Sequence, residues 1–466
     1  MKRLVSIIII MIMVFSYSVT IFANSGPVYW KGYPSSDIMI IEEESPIEIK
    51  KEYLVFDFSN NDNAYYTVNG KVRATYEMVN NTDEGQNVEM AFPLVSNINN
   101  ILKEEVTINA DGLSLPYSIY IGDGLNNYNR LPMDDKQVKF DFKSIVDEIT
   151  DKTYSPRNFT ENEIGKLYKI KVIPTSEQRI NFAIDFSFNH QKTKIFVDGF
   201  NSYQRNNKEI KIAARCYKPK MLEIFVIGED IDLDINGYID GEFKKETDLY
   251  RYEIYTEKTK FKSYLVEHIK EDIEYGNEKF NTQLYNMYAK LLDNMFDANK
   301  GYIYKDDIMG QSNYNRILTL VYDVYFPKKS EKDITVVYNT SGTMDMTETP
   351  DPLYSFDYIL NPAKNWRNFK DLSIKIIPPK EAPYIVSSNI EFDRHKDGFY
   401  TAELSDLPEQ DLSFTLYSNE KVTLMDRVHG RFKNTFGYFT PVAIGMVVFI
   451  ILLVIIIIYR RKKNSL

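Results

Sequence analysis

Cysteine, histidine and tryptophan are nearly missing: one, four and two among 466 residues. A single Cys excludes an intramolecular disulfide, so an exported chain of this size must rely on its core. Cys216 continues the alternation of Ile210, Ile212 and Ala214, which predicts a buried, inert thiol. His190, His268, His395 and His429 lie far apart, and none has a second histidine at helical spacing. That spacing excludes a helical zinc-hydrolase motif. No Gly-x-Ser-x-Gly elbow, Walker A loop or Gly-x-Gly-x-x-Gly fingerprint appears. No catalytic residue, metal ligand or cofactor is therefore expected. Sugar sites lean on Trp, so the 35 Tyr and 28 Phe read first as residues of half-buried strands.

Basic charge is also short. Lys and Arg number 56 against 66 Asp and Glu, a net charge of −10. Six of the basic residues (Lys2, Arg3, Arg460, Arg461, Lys462 and Lys463) sit in terminal segments without acids. The chain between them holds 50 against 66, a net −16. Such a surface repels polyanions, and no nucleic-acid partner is expected.

The apolar runs are at the ends. Lys2 and Arg3 precede the apolar Leu4–Val14, and small residues lead to Ala23. This is the pattern of a secretory signal over 1–23, with an uncleaved signal anchor as the alternative. Val442 to Ile458 is uncharged, follows Phe436, Tyr438 and Phe439, and precedes Arg460, Arg461, Lys462 and Lys463. An apolar span with aromatics before it and cations after it predicts a transmembrane helix over 442–459 and a cytoplasmic tail over 460–466. The sequence thus places a single-pass protein in the cell membrane, with its N-terminal domain extracellular. Phe439-Thr440-Pro441-Val442 lacks the Leu-Pro-x-Thr-Gly motif of wall attachment.

Between the ends the dominant period is two. Leu54, Phe56 and Phe58 alternate with polar neighbours, as do Val72, Ala74, Tyr76 and Met78. Asp111-Gly112, between two alternating runs, predicts a tight hairpin. Residues 123–165 are polar and read as an insertion with a short helix from Phe142 to Ile149. The period then changes. Leu265, Ile269 and Ile273, then Leu284, Tyr288, Leu291 and Met295, each mark one helical face, so 259–301 reads as a helical pair. The predicted fold is mainly β: two antiparallel β-sandwich domains (24–258 and 302–418) with the helical pair between them. A tether over 419–441 then leads to the span.

Three local features invite a functional reading. Asp232-x-Asp234-x-Asn236-Gly237 spaces oxygen ligands as a calcium loop does. Position twelve is Phe243, with Glu242 one residue early, and the interleaved Ile231, Leu233 and Ile235 suit a strand ending in an Asn-Gly hairpin turn instead. Trp366 reads as a buried anchor or a contact residue, and Trp30 as a domain seal or a ligand contact.

Two blocks carry a resemblance. One is Ile47-Glu48-Ile49-Lys50-Lys51-Glu52-Tyr53-Leu54 with Val72-Arg73-Ala74-Thr75-Tyr76-Glu77-Met78-Val79-Asn80-Asn81-Thr82-Asp83 and Ala91-Phe92-Pro93-Leu94. The other is Tyr358-Ile359-Leu360 with Ala363-Lys364-Asn365-Trp366-Arg367-Asn368-Phe369-Lys370-Asp371-Leu372-Ser373-Ile374 and Leu407-Pro408-Glu409-Gln410-Asp411-Leu412. Together they resemble an uncharacterised family of exported bacterial β-rich proteins known as a domain of unknown function. The first also resembles the β-sandwich of vault and inter-alpha-trypsin type domains. The resemblance covers about a quarter of the chain. It implies a β-rich exported architecture and brings no reaction. The expectation is a membrane-anchored binding or scaffolding protein of a bacterial cell surface, with another membrane or envelope protein as a partner. Alternatives are a hydrolase of envelope polysaccharide using paired carboxylates, and a calcium-dependent adhesin.

Overall fold

The computed structural model describes residues 29–41, 45–60, 66–103, 106–125, 142–273, 276–437 and scattered positions between 445 and 454. The expected signal, cytoplasmic tail and most of the apolar span lie outside them. Among the described residues no helix is long and apolar enough to cross a membrane.

The fold is mainly β, with several sheets. The largest orders its strands Asp393–Arg394, Tyr400–Leu404, Leu372–Ile377, Ile47–Asp57, Asn69–Asn80, Ser330–Ser341, Val106–Ala110 and Leu113–Ser114. Alternation works as expected: Val72, Ala74, Tyr76 and Met78 are buried while Lys71 and Arg73 are exposed. Asp111 and Gly112 turn the expected hairpin, both at positive φ. The buried face packs on two smaller sheets. One holds Gln86–Ser96, Arg316–Phe326 and Ser118–Gly124; the other holds Leu353–Ile359 and Leu412–Tyr417.

These sheets join the two ends of the chain. Asn69–Asn80 pairs with Ser330–Ser341, and Gln86–Ser96 with Arg316–Phe326. The boundary expected between 258 and 302 therefore does not separate hydrogen-bonded units, because alternation sets which face a strand buries and not which strand lies beside it. Nor is the pairing wholly antiparallel: Ile47–Asp57 runs parallel to Leu372–Ile377. A second body is built from 164–260, with the strand Tyr302–Tyr304 added parallel to Thr193–Asp198. Its five-stranded sheet faces a four-stranded sheet across Ile170, Val172, Phe182, Ile184, Ile212 and Ile224. Cys216 lies in that core, where burial pushes its thiol pKa up.

Four helices matter here: α1 (Phe142–Glu148), α2 (Phe261–Asp272), α3 (Glu278–Ala298) and α4 (Leu424–Phe436). The Asn277 side chain caps α3 by accepting from the Phe280 amide at 2.9 Å. Both α2 and α3 follow the expected apolar spacing, burying Leu265, Ile269, Leu284 and Tyr288. They pack between the bodies: Phe196 and Phe225 of the five-stranded sheet meet Phe261, and the same core continues into the largest sheet.

Two segments depart from expectation. Residues 35–40 are fully buried and stitch two sheets together, Ser35–Ser36 beside Tyr358–Ile359 and Met39–Ile40 beside Met90–Ala91. The tether expected over 419–441 is largely α4.

Candidate functional site

Arg316 opens its strand at an irregularity. It sits opposite Gly124, whereas Leu318 sits opposite Ile121, so Ser118–Gly124 spends one residue more than its partner. A bulge of this kind re-aims side chains. Arg316 turns into a cleft of about 640 Å³, within the range of small-molecule sites. Met287, Lys290, Leu291 and Asn294 line it from one face of α3, at the spacing that α-helical geometry dictates. Ile121, Asp123, Gln311 and Tyr314 complete the wall.

The Arg316 side chain is under-used. It is 3% exposed. One Nη donates to Gly122 O at 3.3 Å, and the other to Gln311 O and Oε1, both at 3.4 Å. Among the described residues Nε donates to nothing and no carboxylate pairs with the guanidinium. Burial pulls its pKa down, against opposing influences from Tyr288 and Asp123. A buried cation with three long hydrogen bonds and a free N–H calls for an anion. Below it, Asp272 accepts from Tyr288 Oη at 2.5 Å and from Ser312 N at 3.3 Å. That bond fixes the turn bearing Gln311.

A second cavity, of about 590 Å³, lies between the strands Ser202–Asn206 and Tyr302–Tyr304. Tyr203 stacks on Tyr302 with centroids 4.4 Å apart. Arg205 is satisfied there, donating to the Asn299 and Lys300 carbonyls at 3.1 Å each. One carboxylate lines each cavity, Asp307 here and Asp123 in the Arg316 cleft.

A third polar cluster is sealed in the main core. Asp37 and Glu52 are both fully buried, with Tyr76, Tyr358 and Tyr322 about them. Asp37 Oδ1 accepts from Ile38 N at 2.7 Å and from the Tyr76 hydroxyl. Sequence reasoning missed this pair, although Glu52 is in phase with Leu54, Phe56 and Phe58.

The residues singled out in the sequence lie elsewhere. Asp234–Tyr238 is a strand paired with Ile180–Ser187, so Asn236-Gly237 makes no turn. Gly237 is there for clearance, since a Cβ would meet Tyr250 Cε1 at 2.1 Å. The turn comes later, where the Asp240 carboxylate accepts from the amides of Glu242, Lys244 and Lys245. Asp232 precedes this strand, and Asp234 and Asn236 within it are extended rather than curved round one ion as in a calcium loop. Among the described residues no group of three or more His, Cys, Asp or Glu is placed to hold a metal. Trp366 is a buried anchor in the main core, and Trp30 lines a third cavity of about 290 Å³ with Tyr33 and Tyr338. His268 is buried against Phe196 and Tyr264, while His395 stacks on Phe399.

No family model matches the chain, and no curated protein matches it. Among solved structures it is similar to a protein of Legionella pneumophila described as a candidate nutrient binding protein. The identity is 8% and the TM-score 0.36, over 88% of this chain and 76% of that one. A likeness this distant bears on neither fold nor function.

Proposed function

We propose that this is a membrane-anchored extracellular binding protein whose cleft takes a small carboxylate-bearing molecule on Arg316. One observation carries the binding role: a buried guanidinium without a carboxylate faces a cleft of ligand size. Asp123 lies in the same wall and suits a cationic group on the same ligand. Anchoring rests on the apolar span before the Arg and Lys cluster. The described positions there support it: Met446, Ile450, Leu452 and Val454 are helical with apolar side chains exposed. A partner in the same membrane, such as an envelope assembly, fits a body held close to the bilayer.

Thermal melts of the full chain with succinate, glutamate and benzoate test this. At least one should raise the melting temperature. Arg316→Met should weaken that ligand by roughly 10- to 100-fold, the value of a charge-assisted bond in a dry site. If no carboxylate stabilises the protein, the reading falls.

A second reading, hydrolysis of envelope polysaccharide, is favoured by one observation. The Glu148 carboxyl lies against the backbone at Gly122, beside the cleft. Burial and then the Asp123 charge push its pKa up, and Lys290 opposes them. On this reading Glu148 is the acid and Asp123 the ionised partner. Release of reducing ends from envelope polysaccharide that Glu148→Gln abolishes would establish it. No release by the unmodified protein leaves binding alone.

A further inference from the structure

The helix α4 has two unlike sides. Gly430 faces the body so closely that a Cβ would meet Glu348 C and Thr349 N at 2.3 Å. Arg431 pairs with Glu348 at 3.0 Å, and Lys433 Nζ donates to Pro350 O at 3.1 Å. The start is fixed by a capping box, with Thr423 N donating to Asp426 Oδ2 at 2.8 Å and Asp426 N to Thr423 Oγ1 at 3.1 Å. The helix is therefore clamped to the body and cannot act as a loose tether.

Its opposite side is apolar. At about 100° per residue, Leu424, Val428 and Met425 fall within one arc, on the side of the axis away from Gly430. They are 80%, 51% and 74% exposed. Arg427 and Arg431 flank the arc on one side, His429 and Lys433 on the other. An apolar arc bordered by cations is the pattern of a helix lying in a lipid interface.

Chain continuity names the occupant. Only residues 437–441 separate α4 from the apolar run that begins at Val442. Five extended residues span at most about 18 Å, so a helix clamped to the body and joined to a membrane span must lie near the headgroups. We propose that α4 lies along the outer leaflet, with Leu424, Met425 and Val428 immersed, so that the bilayer fixes the orientation of the body. This rests on the anchoring reading above.

The full chain, with Cys216→Ala and single cysteines carrying an NBD fluorophore, tests it in phosphatidylcholine–phosphatidylglycerol vesicles. Labels at Met425→Cys and Val428→Cys should be quenched about threefold more by a shallow nitroxide lipid than a label at Asn434→Cys. Aqueous iodide should show the reverse order. A label at Ile450→Cys reports the span itself. If Ile450→Cys is quenched by a deep nitroxide lipid while Val428→Cys matches Asn434→Cys, the interfacial seat of α4 is wrong and the anchor stands. If Ile450→Cys is open to iodide and untouched by lipid nitroxide, the anchor fails and this inference fails with it.

Discussion

Glu52→Gln should make the protein more stable at pH 8 and should flatten its loss of stability between pH 4 and pH 8. Among the described residues neither carboxyl oxygen of Glu52 meets a donor at hydrogen-bonding geometry, and Asp37 Oδ2 meets none either. Burial, then the Asp37 charge, push Glu52 well above its ordinary value, and the nearby Tyr358 hydroxyl offsets little of this. Burial raises Asp37 from 3.8 to about 7, against the Tyr76 and Ile38 hydrogen bonds. Both acids keep their protons in the fold at pH values where the unfolded chain has released them. The folded state then binds more protons at this pair, so the pair's contribution to stability is fully present below about pH 4 and is lost as pH rises towards 7 and beyond. For Asp37 alone the loss is on the order of 4 kcal/mol. An uncharged Gln at position 52 removes one titration and relieves the other. Urea midpoints of the two proteins at pH 4.5 and pH 8 measure it. Parallel pH dependence in the mutant and the parent would show that this pair does not set the slope.

The acid pair also shows what sequence could and could not reveal. Period two identified the buried face of Ile47–Asp57, and Glu52 lies on that face by the same count. A charged residue in phase with a core stripe was the available signal. The spacing of Leu265, Ile269, Leu284 and Tyr288 gave both helices, and Asp111-Gly112 gave a turn whose φ angles demand those residues. Asn236-Gly237 misled because the same dipeptide serves inside a strand when a ring, here Tyr250, needs the space. Strand partners were not legible. Nothing local in Asn69–Asn80 points to Ser330–Ser341, which lies some 250 residues on. The insertion of the 164–260 body between them hides the link. Arg316 had no signal either, because its role comes from a bulge in the neighbouring strand and from an α3 face that arrives only when the chain folds back.

The same helix underlies the other large effect. Asp293→Ala should cost about 3–5 kcal/mol and loosen residues 150–158. Asp293 is fully buried on α3. Its carboxylate accepts from the amides of Arg157 and Asn158 at 2.8 and 2.9 Å, and from Tyr154 Oη at 2.8 Å. Burial pushes its pKa up, but those amides together with the Tyr154 and Asn158 side chains outweigh burial and leave the carboxyl below its ordinary value. Its contribution is present at neutral pH and is lost as pH falls below the usual carboxylate range. Alanine leaves two partly buried amides without their acceptor, which is costlier than losing the bonds themselves. Earlier on the helix, Asn286 accepts from Tyr154 N at 2.7 Å, and Gln283 donates to Thr150 O at 2.7 Å. The segment is thus held along α3, with Asp297 pairing with Arg157 at 3.1 Å and Lys279 with Asp151 at 3.3 Å, and Asp293 is the fully buried charge of that row. Urea midpoints and amide exchange of 150–158 report the loss. Because Lys290 and Asn294 reach the Arg316 cleft from this helix, ligand affinity should fall in the same variant. A melt unchanged at pH 7 would mean that solvent replaces the carboxylate without cost.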